Sequence, residues 1–130
     1  LTAGVSLNDT WAYDYNTDTW TDLSPANSPD ARSCGAMVYD PNSHREILVG
    51  GTNGLDCSGS LRDTWAYDAR SNTWTKLGSA PQLTFQGMAF AVEANELVAF
   101  VGGSSWIYFQ PAFWLYDPTT NQWKDGYAKP

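Results

Sequence analysis

Trp11-Ala12-Tyr13-Asp14, followed by Trp20, returns as Trp65-Ala66-Tyr67-Asp68 before Trp74 and as Trp114-Leu115-Tyr116-Asp117 before Trp123. The spacing from first to second Trp is the same in all three copies, and the copies recur about every 50 residues. A second pattern lies between them. Gly35-Ala36-Met37-Val38-Tyr39 leads to Ile47-Leu48-Val49-Gly50-Gly51, and Gly87-Met88-Ala89-Phe90-Ala91 leads to Val98-Ala99-Phe100-Val101-Gly102-Gly103. Two independent patterns in the same order establish an internal repeat.

Each full unit predicts four short strands. Cys34–Tyr39 and Glu46–Val49 are runs of small, β-branched or apolar residues, as buried strands require. Between them Asp40-Pro41-Asn42-Ser43 is a turn, with Pro fixing one backbone angle and Asp and Asn bonding locally. The alternation of a strand over Asp63–Tyr67 puts Trp65 and Tyr67 on one face. Asp68-Ala69-Arg70-Ser71-Asn72 turns the chain into a fourth strand, Thr73–Leu77, anchored by Trp74. Asp14, Asp68 and Asp117 recur at the opening of the turn, which points to turn capping rather than chemistry. No segment holds a period of 3.6 residues, so almost no helix is expected.

Composition narrows the function classes. Of 130 residues, 42% are hydrophobic, 15% aromatic and 16% charged, a balance opposite to that of disordered chains. A net charge of -7 repels phosphate, so nucleic acid and anionic lipid are excluded as partners. No apolar run approaches the roughly 20 residues of a membrane helix, and no membrane association is expected. Two cysteines and one histidine, His44, cannot build a Cys-rich zinc site or a His-based metal centre. His44 falls in the short turn Asn42-Ser43-His44-Arg45, where a solvated residue is expected.

Gly50-Gly51 and Gly102-Gly103, with Tyr67/Trp74 and Tyr116/Trp123 downstream, resemble the kelch repeat, and the resemblance covers nearly the whole chain. It implies an all-β fold of kelch-type β-propeller blades, each four-stranded and antiparallel, with the strand after Arg32 innermost. The single kelch-repeat region 1–130 then divides into an outer half-blade at 1–23 and full blades at 31–77 and 84–125. Closed propellers have roughly four to eight blades, so this is an incomplete propeller. Two explanations stand open. The chain is a piece of a longer propeller, favoured by the absent initiator Met and the start within a blade, or separate chains complete one another as a homo-oligomer or filament. The wording Asp-Thr-Trp-Ala-Tyr-Asp resembles prokaryotic or secreted kelch proteins. That implies an extracellular or cell-surface location, with the cytoplasm as the other compartment.

The long connections 24–33, 52–62, 78–85 and 104–112 share one end of the strands, where binding loops belong. Trp106, Tyr108 and Phe109 crowd one of them, as a platform for a sugar ring or peptide, or as packing against a neighbouring loop or chain. Arg32 stands where the kelch resemblance places ligand-binding arginines; the third repeat has Thr84 there, and an acid-paired Arg32 is the competing reading. Cys34 and Cys57 fall at the same end, so a disulfide worth roughly 3 kcal/mol is expected, against two free thiols. Asn8-Asp9-Thr10 is a glycosylation sequon if the protein is secreted by a glycosylating cell.

No nucleophile elbow, phosphate loop or zinc motif is present, and one His does not supply the ligands of a copper oxidase. Paired carboxylates for carbohydrate cleavage would need further blades, which leaves a fragment of a secreted carbohydrate enzyme as a remote alternative. The expectation is therefore a noncatalytic binding or assembly module without cofactor or metal. Its partners would be another protein chain, further blades of the same protein, or a carbohydrate or peptide ligand.

Overall fold

The computed structural model describes residues 4–54, 61–81, 85–101 and 112–126. Among these there is no helix. Strands β1 (Trp11–Asp14) and β2 (Thr19–Asp22) form a two-stranded sheet. A middle sheet follows in the order β3 (Ala36–Asp40), β4 (Arg45–Val49), β5 (Asp63–Asp68) and β6 (Thr73–Ser79). The third sheet runs through β7 (Phe85–Ala91), β8 (Glu96–Val101), β9 (Ala112–Asp117) and β10 (Gln122–Asp125). Every pairing is antiparallel, and the described strands close no barrel. The all-β, four-stranded antiparallel expectation is met.

The turns show why each copy reverses where it does. Asp14, Asp40, Asp68 and Asp117 each accept the backbone N–H two residues on, at 2.8–2.9 Å. These four turns end on a left-handed residue, Asp18, His44, Asn72 and Asn121, as does the β7–β8 turn at Asn95, with φ between 52° and 56°. Asp, Asn and His tolerate that region better than other side chains, so sequence and geometry agree. His44 is thus a backbone solution, and its Nδ1 lies 3.0 Å from the Tyr39 hydroxyl.

Alternation along the strands decides which faces meet. Ile47, Val49 and Ala66 of the middle sheet turn toward the third sheet and join Leu97, Ala99 and Tyr116 in one core, together with Ala80. Ala36, Val38, Met88 and Phe90 pack on its inner side, and Leu77 and Trp123 close it further out. All six principal residues are at most 1% exposed, so the joint between these sheets holds the main hydrophobic stabilisation.

Cys34, expected to open the innermost strand, instead lies ahead of β3 with φ +56°. The chain must pass the double glycine here: Ser33 and Thr52 exchange backbone hydrogen bonds at 2.9 Å in both directions. Gly51 makes that approach feasible. Its φ is +100°, and a Cβ there would sit 2.7 Å from the Ser33 carbonyl oxygen. Gly51→Ala is expected to destabilise by about 2 kcal/mol, from forbidden backbone and backbone overlap together. Urea denaturation measures this; a change under about 0.5 kcal/mol would contradict the close approach.

Candidate binding surface

The repeated motif builds the same local unit three times. Tyr13 stacks at a tilt on Trp20, Tyr67 on Trp74 and Tyr116 on Trp123, with ring centroids 5.1, 5.0 and 5.0 Å apart. Each tyrosine hydroxyl donates to the left-handed turn residue of its own unit: Asp18 at 2.7 Å, Asn72 and Asn121 at 2.8 Å. Donation of this hydroxyl to the Asp18 carboxylate, with some burial, raises the Tyr13 pKa above its ordinary value.

Neighbouring units are joined through the outer tryptophan. Trp74 Nε1 donates to Thr10 Oγ1 at 3.0 Å, and Trp123 Nε1 donates to Thr64 Oγ1 at 3.3 Å. The third copy carries Phe113 at this position, one residue before its own Trp114. Asn72 Nδ2 adds a bond to the Leu23 carbonyl at 2.7 Å, and Asn42 Nδ2 one to Asn95 Oδ1 at 2.7 Å.

Identical units meet different surroundings. Trp74 and Tyr116 are 8% and 0% exposed, whereas Trp20 and Tyr13 are 66% and 46% exposed. Register extends the comparison inward. Met37 lies opposite Leu48 and Leu48 opposite Trp65, as Met88 lies opposite Ala99 and Ala99 opposite Trp114. Met88 and Phe90 pack on the core, but Met37 and Tyr39 stand 59% and 47% exposed. On this face Glu46 occupies the place of the buried Leu97, and partial burial pushes its carboxyl pKa up.

Arg32 is held inside this region. Its Nη1 donates to Asp63 Oδ1 at 2.7 Å and to the Gly50 carbonyl at 2.9 Å, and its Nη2 donates to Asp63 Oδ2 at 3.1 Å. The two side chains are 7% and 12% exposed. Burial alone would raise the Asp63 carboxyl; bonds from Arg32 and Trp65 and the charges of Arg32 and Lys76 outweigh it and hold the carboxyl below its ordinary 3.8. The same guanidinium therefore ties the start of β3 to the end of β4 and to β5.

A cavity of about 240 Å³ opens between the first and middle sheets, lined among others by Asp9, Trp11, Arg32, Met37, Leu48 and Trp74. Asn8, the sequon residue, is exposed at its rim, while Thr10 packs beneath Trp74. Cys34 is not a free thiol. Its expected partner Cys57 lies outside the described residues, as do Trp106, Tyr108 and Phe109. No three His, Cys, Asp or Glu side chains among the described residues gather as a metal site, and no described helix is long and apolar enough to cross a membrane. Asp63 and Asp9 were not singled out by the sequence reading. The available signal was Asp ahead of the Trp motif in two copies, against Ala112 in the copy that also lacks the arginine.

Four-stranded antiparallel sheets, joined face to face by a Trp–Thr bond that recurs at two junctions and entered through a double glycine, define a protein of blade repeats. Residues 47–81, which run from β4 through β6, match the family model for the Kelch motif, so the chain carries a kelch motif there. Kelch motifs in general mark modules for protein binding or scaffolding. No curated protein matches the chain.

Proposed function

We propose that this chain is a noncatalytic protein-binding module whose contact surface is the aromatic face of the first sheet and the adjoining face of the middle sheet. The observation that carries the reading is the exposure of Trp20 and Tyr13 at positions where the same unit buries Trp74 and Tyr116. Large aromatic side chains that lose water on contact dominate protein interfaces, and an apolar patch of this kind rarely stays bare. Met37 and Tyr39 add exposed apolar surface on the Leu48 and Trp65 face of the middle sheet.

A long-loop site around Trp106, Tyr108 and Phe109, with a carbohydrate or peptide ligand, is the competing reading. Arg32 is a poor donor for it, because Asp63 and Gly50 take three of its four Nη hydrogens and the Asp30 carbonyl takes its Nε hydrogen. Affinity capture from an extract of the native source separates the two, using wild type, a Tyr13→Ala/Trp20→Ala variant and a Trp106→Ala/Tyr108→Ala variant. Loss of the captured partner in the first variant alone is the expected result. Loss in the second alone would transfer function to the loops. Sedimentation of the wild type alone tells whether the partner is a second copy. Location at the cell surface and a Cys34–Cys57 bridge are consistent with this role and belong to the same proposal.

A further inference from the structure

The middle and third sheets each have all four strands, and their joint ends in a polar cavity at the short-turn end of the strands. Its volume is about 250 Å³. Asp40, Ser43 and Arg45 line it from the β3–β4 hairpin, and Asn95 and Thr119 line it from turns of the third sheet. Strand alternation agrees with that placement. Arg45 precedes Ile47 and Val49 on the face of β4 that meets the third sheet, as Asp40 follows Ala36 and Val38 on β3. Burial raises the pKa of the Tyr116 hydroxyl, and Arg45 is near enough for its charge to oppose the rise.

The acceptors around this cavity are already engaged. Asp40, fully buried, accepts the Asn42 and Ser43 backbone N–H groups at 2.9 and 3.2 Å and the Ser43 hydroxyl as well. Asn95 Oδ1 accepts from Asn42 Nδ2 at 2.7 Å. The donors are in the opposite condition. Arg45 lies across from Asp40 in the hairpin register but forms no ion pair with it. Its hydrogen bond among the described residues runs from Nε to Ser43 Oγ at 3.2 Å, which leaves both Nη groups unengaged. Asn95 Nδ2 gives one hydrogen to Thr119 Oγ1 at 3.1 Å and keeps the other, and the Thr119 hydroxyl hydrogen has no acceptor among the described residues. The third unit has Ala91 and Glu96 where the middle unit has Asp40 and Arg45, so this guanidinium is not needed to build a blade.

We infer that the cavity is a binding site for a single carboxylate of a partner protein, carried on an acidic side chain or at a chain end. The carboxylate takes both Nη groups of Arg45 in a two-pronged bond, and Asn95 and Thr119 supply donors from the other wall. The volume is smaller than the roughly 300–1,000 Å³ of a pocket for a whole small molecule, which suits an end group. A net charge of -7 repels an acidic tract, so one carboxylate fits better than a run of them. The site lies between other sheets than the aromatic contact face and does not rest on that reading.

The test titrates the whole chain at fixed ionic strength and follows the NMR shifts of the Arg45 Nε–H and the Thr119 amide. The probes are a glutamate peptide blocked at both ends, acetyl-Gly-Gly with a free carboxylate, acetyl-Gly-Gly amide, and inorganic phosphate. At least one carboxylate peptide is expected to move both signals to saturation, and the tighter of the two identifies the source. The amide should move neither. Arg45→Gln should weaken binding about tenfold, and Arg45→Lys, which keeps the charge but loses the fork, should recover only part. Thr119→Val, on the other wall, should weaken it several-fold without touching Arg45. Absence of saturable shifts with both carboxylate peptides, equal binding of the amide, tighter binding of phosphate, or unchanged affinity in Arg45→Gln overturns the inference. Each of those results leaves the capture experiment with Tyr13→Ala/Trp20→Ala to stand or fall by itself.

Discussion

Tyr116→Ala is expected to cost about 4 kcal/mol of folding stability, while Tyr13→Ala, the same motif residue, costs about 1 kcal/mol or less. Both tyrosines stack on the tryptophan of their unit and both donate to a turn residue. The difference is what lies over them. Tyr116 is fully enclosed by the core between the middle and third sheets, so truncation removes a ring from close packing and leaves a cavity. Tyr13 is nearly half exposed, and water takes the vacated space. Urea titration of both variants gives the comparison, and equal losses would mean that the unit, rather than the joint, carries the stability. Burial pushes the Tyr116 hydroxyl up to about 12, with Asp117 and Asp40 adding to the rise and Arg45 opposing it. An unfolded tyrosine ionises near 10, so folded stability should fall as pH rises from 10 toward 12. Tyr116→Phe should remove that alkaline loss.

Arg32→Ala should be the second large effect, about 3 kcal/mol, because it strands a largely buried Asp63 carboxylate and removes a donor from the Gly50 carbonyl. Arg32→Lys should recover little, since one ammonium cannot serve both carboxylate oxygens and the carbonyl. The pH dependence has a definite sign. Asp63 has a folded pKa below 3.8, so the unfolded chain binds its proton first as pH drops. The pair's contribution is whole above about pH 4 and is lost as pH falls through the folded value. Asp63→Asn should flatten that acid limb in thermal melts between pH 2 and 5. An unchanged limb would place the acid sensitivity in other carboxylates.

The fold was legible because its signals are short-range and repeated. Trp65, Tyr67 and Trp74 announce a face by alternation, and Asp68 and Asn72 announce the turn between them by their backbone preferences. Cys34 was misplaced because the double glycine acts across space: Gly51 draws Ser33 against Thr52, which delays β3. The binding face was harder to read. Exposure of Tyr13 against burial of Tyr116 depends on which sheet lies alongside, and the motif is the same in both. Arg32 was found by position, but its bond to Asp63 spans two strands and a connection, which a linear reading does not join. Thr10 and Thr64 were passed over for a similar reason, since a hydroxyl acceptor has no pattern until the indole above it is known.

Phe113 gives the repeats a polarity that the sequence similarity hides. Thr10 and Thr64 each let a following tryptophan dock with its indole hydrogen satisfied, whereas Phe113 offers only ring carbon at that point. The Phe113 ring lies against Phe100, and a Cβ on Gly126 would overlap it. The units are therefore not interchangeable bricks. Tandem copies of the middle unit would regenerate their own joint indefinitely, but tandem copies of the third would leave one indole hydrogen unmatched at every junction. For anyone building longer arrays from this chain, the order of units is part of the code, and the third unit works as a terminator for that particular joint.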